Sequence, residues 1–347
     1  MILDQGKQQV KEKLFVIHAI WKDHGDIEGA LVSVKHIMIS EMSALSPDIK
    51  ANILKYINAS GKYLRAGLCL YLAKEIEGKI SQGKLYLAAA IETFHLATLI
   101  HDDVIDEADL RRNLKPLHRV YSNKLAIYSG DYLLSYSGRL AAKGAQLLKI
   151  KETLEDEPPL SYQLVERILA GELAQLMNQY NSQMTMKAYL KQIKGKTAFL
   201  FGIACQLGTW HPRLSQKELS AAYHFGIFLG MAFQISDDLI DYQLKANQSG
   251  KPRLQDVQNG IYTAPLILGM AESKPIRQAV KNHKSLEWEQ EELAMLYKQL
   301  EETQAFEATE TLINNYLIKL NRACEILPLE HKEEFLIFIR RILARDF

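Results

Sequence analysis

Proline and glycine are scarce in this chain of 347 residues, nine and nineteen in all. Hairpin signals are scarcer: the one Asn-Gly pair, at Asn259, is not flanked by two alternating strands. A fold built of strands needs such punctuation, so a β-rich architecture is excluded. The three cysteines, Cys69, Cys205 and Cys324, are odd in number, far apart and set within apolar patterns. That spacing excludes a disulfide framework or a cysteine metal site and suits core thiols in a reducing compartment. Neither sign of charge is in excess, with 42 basic against 41 acidic residues and a net charge of +1. No global field therefore draws the chain to nucleic acid or to an anionic surface. No stretch reaches the roughly 18 uncharged apolar residues that a spanning helix takes. The longest, Phe225 to Ile235, stops at Asp237 and Asp238. The opening MILDQGKQQVKEK lacks the basic-then-apolar order of a secretory signal, and we expect a cytoplasmic protein without a transmembrane segment.

Helical periodicity is abundant. Apolar residues recur at three and four along Leu14, Ile17, Ile20 and Trp21, along Leu133, Leu134, Leu140 and Leu147, and along Leu312, Ile313, Tyr316, Leu317 and Leu320. Gly83 to Glu107 and Ser215 to Tyr242 are apolar around most of a helix circumference, as the central helices of a bundle should be, whereas Ser285 to Thr303 keeps a polar outer face. Loop signals fall at Glu155 to Leu160, Trp210 to Leu214, Ala246 to Arg253 and Glu325 to Leu329, and none is a long linker. The expectation is an all-α fold, a single large helical bundle of one domain over residues 1–347 with a central apolar cavity.

The first apolar segment ends abruptly in LIHDDVIDEADLRRN, Leu99 to Asn113, with five acids and two arginines. Asp102, Asp103 and Asp106 form a D-D-x-x-D pattern that stacks Asp102 and Asp106 on one helix face. Stacked like charges repel unless a cation lies between them. One such cluster reads equally well as a solvated helix end. A second, Asp237, Asp238 and Asp241 in FQISDDLIDY, stands 135 residues later (237 minus 102) at the end of another apolar helix, and two are better read as walls of one metal-lined cavity. Carboxylates alone suit a hard cation, and Mg²⁺ usually completes its shell with water and phosphate oxygens. His95 and His101, six residues apart, leave imidazole-assisted ligation as a second reading, with a hydrogen-bonded core histidine the plainer role for His101. Basic residues stand at matching places: Lys62 and Arg65 after a glycine, Arg111 and Arg112 after the first acidic cluster, Lys194 and Lys196 before Thr197, and Lys251 after Gly250. Together they outline a site for two diphosphates, one carried by metal and the other by Lys and Arg.

At these residues the chain resembles the trans-type isoprenyl diphosphate synthases, the polyprenyl synthetase family. SGKYLR is similar to the family's GGKxxRP, HDDVIDEADLRR to its first aspartate-rich motif, and SNKLAIYSGDYLLS to its GNxxAILxGDxLL. GELAQL, KTAFLF, FQISDDLID and GKPRLQDVQNG come after these in family order, matching GExxQL, KT, the second aspartate-rich motif and GKPxGxDLxxG. The resemblance implies a Mg²⁺-dependent prenyltransferase that condenses isopentenyl diphosphate with an allylic diphosphate, using about three ions. By the same resemblance, Asp102, Asp103, Asp106, Asp237, Asp238 and Asp241 hold metal, Lys62, Arg65, His95 and Arg112 hold isopentenyl diphosphate, and Arg111, Lys196, Thr197, Gln234 and Lys251 hold the allylic diphosphate. Asp102, Asp103, Asp106, Arg111, Lys196 and Asp237 would act in the chemical step. The match departs at Ser60, at Ala66, at Asn113 where a glycine is usual, at Leu254 where another is usual, and at Ile261.

Product length is sought beneath the first cluster, at Thr98, Ala97, Phe94 and Ile91. Thr98 lies about 6 Å, Ala97 about 8 Å and Phe94 about 12 Å below Asp102 along a helix. In the family, bulky aromatics four and five residues back stop growth early; the small pair here resembles medium- and long-chain synthases. Phe94 is either core or a floor, and a product of about six to eight isoprene units, for a quinone side chain, is expected from its depth. The alternatives are a geranylgeranyl-type short-chain synthase, or the catalytic or regulatory subunit of a heterodimeric synthase. A class I terpene cyclase would leave Lys62, Arg65 and Arg112 without use. Family members are commonly homodimers, and a homodimer is expected here, with room for a small heterologous subunit; a nucleic-acid partner has no support.

Overall fold

The computed structural model describes residues 15–42, 45–59, 61–150, 160–243, 254–283 and 288–344. After a 3₁₀ turn at Ala19–Trp21 come α1 (Gly25–Ser40), α2 (Pro47–Asn58), α3 (Leu64–Glu77), α4 (Gln82–Ile105), the single turn α5 (Leu117–Val120) and α6 (Asn123–Leu147). The chain continues through α7 (Leu160–Met177), α8 (Met186–Ile193), a π-helical turn (Lys194–Ala198), α9 (Phe199–Thr209) and α10 (Gln216–Gln243). The remaining helices are α11 (Gln255–Gln258), α12 (Ala264–Glu272), α13 (Lys274–Asn282), α14 (Gln290–Glu301), α15 (Ala305–Ile326) and α16 (Lys332–Ala344). Among the described residues the only β pairing is an isolated bridge between Arg111 and Leu114.

The few prolines and glycines act as punctuation. Pro47, Pro265 and Pro275 sit in the first two positions of α2, α12 and α13, where a missing N–H is harmless. Gly78, at φ +70°, ends α3 in the left-handed conformation. Side-chain caps start others: Ser122 accepts from the Leu125 N–H at 3.3 Å, and Thr185 from that of Ala188 at 3.2 Å.

Helices α4 and α10, the two segments apolar all round, occupy the middle of the bundle. α4 packs against α6, α3 and α1, and α10 lies between α9 and α15. By length and composition α10 could cross a membrane, yet most of its apolar stretch is buried, as in the core helix of a soluble bundle. At Gly226, α10 touches α9 so closely that a Cβ would overlap the Phe201 carbonyl. Two expected loops, residues 155–159 and 246–253, lie outside the described residues, while α15 runs to Ile326, two residues into the expected loop at Glu325.

One buried charge holds the far end of α9. Lys84 of α4 is 0% exposed, and its Nζ donates to the carbonyls of Leu207, Gly208 and Trp210 at 2.7, 2.8 and 2.6 Å, with Glu77 at 3.4 Å. Helix C-termini leave carbonyls without partners, and an ammonium group satisfies three here. Burial pushes the Lys84 pKa down, and the neighbouring acids work against that push. Lys84→Met should remove the donor, strand the carbonyls and cost about 3 kcal/mol, read as a lowered urea midpoint with unchanged slope.

Candidate active site

The two central helices and the start of α3 enclose a cavity of about 430 Å³. Lys62, Arg65, His95 and Arg112 line one side, Asp102, Lys196, Thr197, Gln234 and Asp237 the other, and Phe94, Ile168, Leu200, Phe201 and Phe233 supply apolar surface. Charged groups and aromatic rings lining one cavity match a ligand with an anionic head and a hydrocarbon body.

The first aspartate triad divides. Asp102 faces the cavity, and burial raises its pKa, with Asp106 and Asp103 adding to the rise and Lys196 and Arg111 opposing it. Asp106 caps the C-terminus of α4 and is exposed, its N–H bonded to the Asp102 carbonyl at 2.8 Å. The negative end of the helix dipole therefore adds to the potential of both carboxylates. Asp103 turns away: it is 1% exposed, ion-paired with Arg111 and within 3.4 Å of the Tyr56 hydroxyl. Burial raises its pKa, and Arg111 opposes the rise. Arg111, expected on the allylic diphosphate, is thus committed to Asp103, and neither lines the cavity.

A tight turn separates the two arginines. Arg111 and Leu114 exchange backbone hydrogen bonds of 2.8 and 2.9 Å, and Arg112 and Asn113 between them have φ of +50° and +64°. Two consecutive left-handed residues are the signature of a type I′ turn, and Asn tolerates that conformation best after glycine. Asn113 in place of the resembled glycine therefore keeps the turn. It sends Arg111 back to Asp103 and Arg112 against Gly61, where a Cβ would overlap the guanidinium.

On the basic side, the Arg65 guanidinium stacks 4.5 Å from the Phe201 ring centre, and its Nε is buried with no partner among the described residues. Burial pulls its pKa down to about 10, with Glu92 opposing and Arg112 adding. A buried Nε–H left unbonded at a cavity wall fits an incoming anion. Glu92 of α4 is 7% exposed and accepts the Ala66 N–H at 3.1 Å. Burial raises its pKa while Arg65, Arg112 and Lys35 oppose. His95 is held well below its ordinary pKa by burial and by the same arginines. His101 turns to α6, 3.2 Å from both the Ile127 carbonyl and Asp131, a hydrogen-bonded histidine outside the cavity.

On the far side, the π turn carries Lys196 and Thr197 into the site. Such turns insert one residue into a helix and rotate the residues beyond it. Lys196 forms an ion pair of 2.8 Å with Glu172 of α7. Burial lowers the Lys196 pKa, but Asp102 and Glu172 outweigh it and hold the ammonium above its usual value. Thr197 donates to Gln234 at 2.7 Å, Gln234 donates to Asp238 at 2.8 Å, and the Tyr189 hydroxyl donates to the other oxygen of Asp238 at 2.5 Å. Burial pushes Asp238 up to about 6 against those hydrogen bonds. Asp241 accepts the Asp256 N–H at 3.2 Å, and Leu254, at φ +58°, holds the left-handed bend where the resembled motif has glycine. Lys251 lies outside the described residues.

Of the six aspartates, Asp102 and Asp237 line the shared cavity. Among the described residues no three His, Cys, Asp or Glu side chains are gathered closely enough to grip one ion. The expected meeting of two full triads is replaced by a division of labour, because Asp103 and Asp238 are occupied by Arg111, Tyr189 and Gln234. The donor set still fits a divalent cation, being all-oxygen and anionic at Asp102 and Asp237. Below it, Phe94, Thr98 and Leu99 line the wall. Ala97 is buried and lines nothing, since two residues beyond His95 a helix has turned about 200°. Ile91 is buried beneath Phe94, outside the cavity. Glu172 and Tyr189 had no assigned role in the sequence; Glu172 stood within GELAQL, whereas Tyr189 had no local signal.

Residues 47–300 match the family model for polyprenyl synthetase. The chain is 32% identical over 295 residues to heptaprenyl diphosphate synthase component 2 of Bacillus subtilis, covering 84% of this chain and 81% of that protein. A crystal structure of a decaprenyl diphosphate synthase from Rhodobacter capsulatus superposes with a TM-score of 0.82 at 28% identity, over 92% of this chain and 97% of that one. A polyprenyl synthase from Caulobacter crescentus, complexed with calcium and isoprenyl diphosphate, gives 0.79 at 26% identity, over 91% and 94%.

Arg65→Met should keep the stack on Phe201 while deleting the charge. Calorimetric titration with inorganic pyrophosphate should then show affinity at least about tenfold weaker. Thermal stability should fall only slightly, because buried Glu92 loses one of the three cations that oppose its pKa rise but keeps the Ala66 amide, Arg112 and Lys35.

Proposed function

This chain belongs to the polyprenyl synthetase family and is a prenyltransferase of the medium- to long-chain polyprenyl diphosphate synthase type, and from that premise we propose how its residues divide the reaction. Isopentenyl diphosphate is held by Lys62, Arg65 and Arg112 beside His95, and the allylic diphosphate by Lys196, Thr197, Gln234 and Lys251. The observation that carries this reading is the cavity itself, which brings Arg65, its Nε unbonded, together with Asp102, Asp237 and the rings of Phe94, Phe201 and Phe233.

Divalent metal is used by this family, and we take it to be Mg²⁺, about three ions by resemblance. Asp102, Asp106 and Asp237 would hold it directly, with Asp103, Asp238 and Asp241 behind them. When bound, the metal supplies positive charge against the departing diphosphate. Lys196 exchanges its Glu172 partner for that diphosphate as the allylic C–O bond breaks and the electron pair leaves with oxygen. The terminal alkene carbon of isopentenyl diphosphate then forms the new C–C bond, and a proton lost from its second carbon to the departed diphosphate restores a double bond. Phe94, Leu200, Phe201 and Phe233 keep water from the cation between those events.

The whole chain is taken to work as one cytoplasmic helical domain, supported by one continuous hydrophobic core from Ile20 to Ile342 and by three free, buried cysteines. A homodimer is the simplest assembly. The relative named as component 2 favours a second reading, in which a partner subunit is required.

Incubation of the purified chain with Mg²⁺, labelled isopentenyl diphosphate and farnesyl diphosphate should give a ladder ending at about six to eight isoprene units, from the depth of Phe94. Phe94→Ala should lengthen it. A ladder ending at four units would place the protein among short-chain synthases, and no incorporation with any allylic starter would leave the partner-dependent reading.

A further inference from the structure

We propose that Trp21, from the N-terminal 3₁₀ turn, is a positioning residue that sets the cation loop for isopentenyl diphosphate. The inference rests on the assignment of that substrate to Lys62 and Arg65. Trp21 is 0% exposed and lines no part of the cavity, yet its indole N–H donates to the Lys62 carbonyl at 2.7 Å.

That bond falls beside a constrained point of the backbone. The next residue, Tyr63, has φ +50°, a conformation that a bulky L residue adopts only when its surroundings enforce it. The enforcing contacts are visible. The Tyr63 hydroxyl donates to the Ile57 carbonyl at 2.7 Å, and the buried Lys35 ammonium sits 4.6 Å above the Tyr63 ring while donating to the Val16 carbonyl at 2.8 Å. The Trp21 ring lies on Gly67, one turn into α3, so closely that a Cβ there would overlap it. Trp21 therefore grips both sides of the bend from which Lys62 and Arg65 project. Its other face packs on Phe338 of α16 at 5.1 Å, a contact that does not reach the loop.

Losing the indole N–H removes one hold on the Lys62 carbonyl while Ile57 and Lys35 still hold Tyr63, so the Lys62 side of the bend shifts and carries its ammonium with it. The allylic side of the cavity is built by other elements, the π turn and α10, and keeps its geometry. The effect should fall on one substrate alone.

Trp21→Phe removes the donor together with the outer indole edge that lies on Gly67, so both holds on the bend are lost. Steady-state kinetics should show the KM for isopentenyl diphosphate raised roughly tenfold, the worth of one well-made hydrogen bond, with kcat and the allylic KM within about twofold. Phe338→Leu is the comparison: it loosens Trp21 packing without touching the N–H, and should lower the melting temperature with no change in either KM. Unchanged kinetics in Trp21→Phe, or both KM values rising together, or the same pattern in both variants, would overturn the proposal. Should the unmodified chain make no product, the partner-dependent reading takes over, and titration with inorganic pyrophosphate still reads the Trp21 contact. Weaker binding by Trp21→Phe supports it there, whereas equal affinities, or no binding by the unmodified chain, overturn it.

Discussion

Everything about this bundle turns on keeping fixed charges close together at one end of a hydrophobic core. Carboxylates at the ends of α4 and α10, and cations on α3 and the Arg111 turn, would each be costly to bury alone. The protein meets that cost by pairing charges it does not offer to a ligand: Asp103 with Arg111, Asp238 with Tyr189 and Gln234, and Glu92 with the Ala66 amide. Lys62, Arg65, Asp102 and Asp237 face the cavity instead. Lys196 sits at the pivot, paired with Glu172 and within the field of Asp102.

The fold was readable because helical periodicity and the position of charge agree along the chain. Gly83 to Glu107 and Ser215 to Tyr242 read as central helices and are α4 and α10 within two residues at each end. The cavity was readable through its chemistry, since Lys62, Arg65, His95, Arg112, Lys196, Thr197, Gln234, Asp102 and Asp237 all meet there. Spacing alone left out rotation and partnership. A D-D-x-x-D pattern says which residues share a face, but not that Asp103 turns to an arginine eight residues on. Counting back from Asp102 gives depth, and the helix angle then takes Ala97 off the wall and puts Leu99 on it.

Long-range partners were beyond a linear reading for a plainer reason: nothing local marks them. Trp21 reaches Lys62 across 41 positions, Tyr189 reaches Asp238 across 49, and Lys84 reaches the end of α9 across more than 120. Departures from the resembled motifs, by contrast, become intelligible once the backbone is seen. Asn113 and Leu254 replace glycines at two left-handed positions, and both bends persist: Asn is suited to that conformation, and Leu254 is 1% exposed in the core, where burial offsets the strain.

The π turn at Lys194–Ala198 has a bearing on how this sequence can change. A helix carrying one surplus residue could be made regular by a single-codon deletion, and a regular helix has better backbone hydrogen bonding. That deletion would turn everything on one side of the cut by about 100° against the other, so α8 and α9 could not both keep their neighbours. The surplus residue is therefore locked in by the packing of both flanking helices, and its deletion would be far costlier than the better backbone hydrogen bonding it would bring.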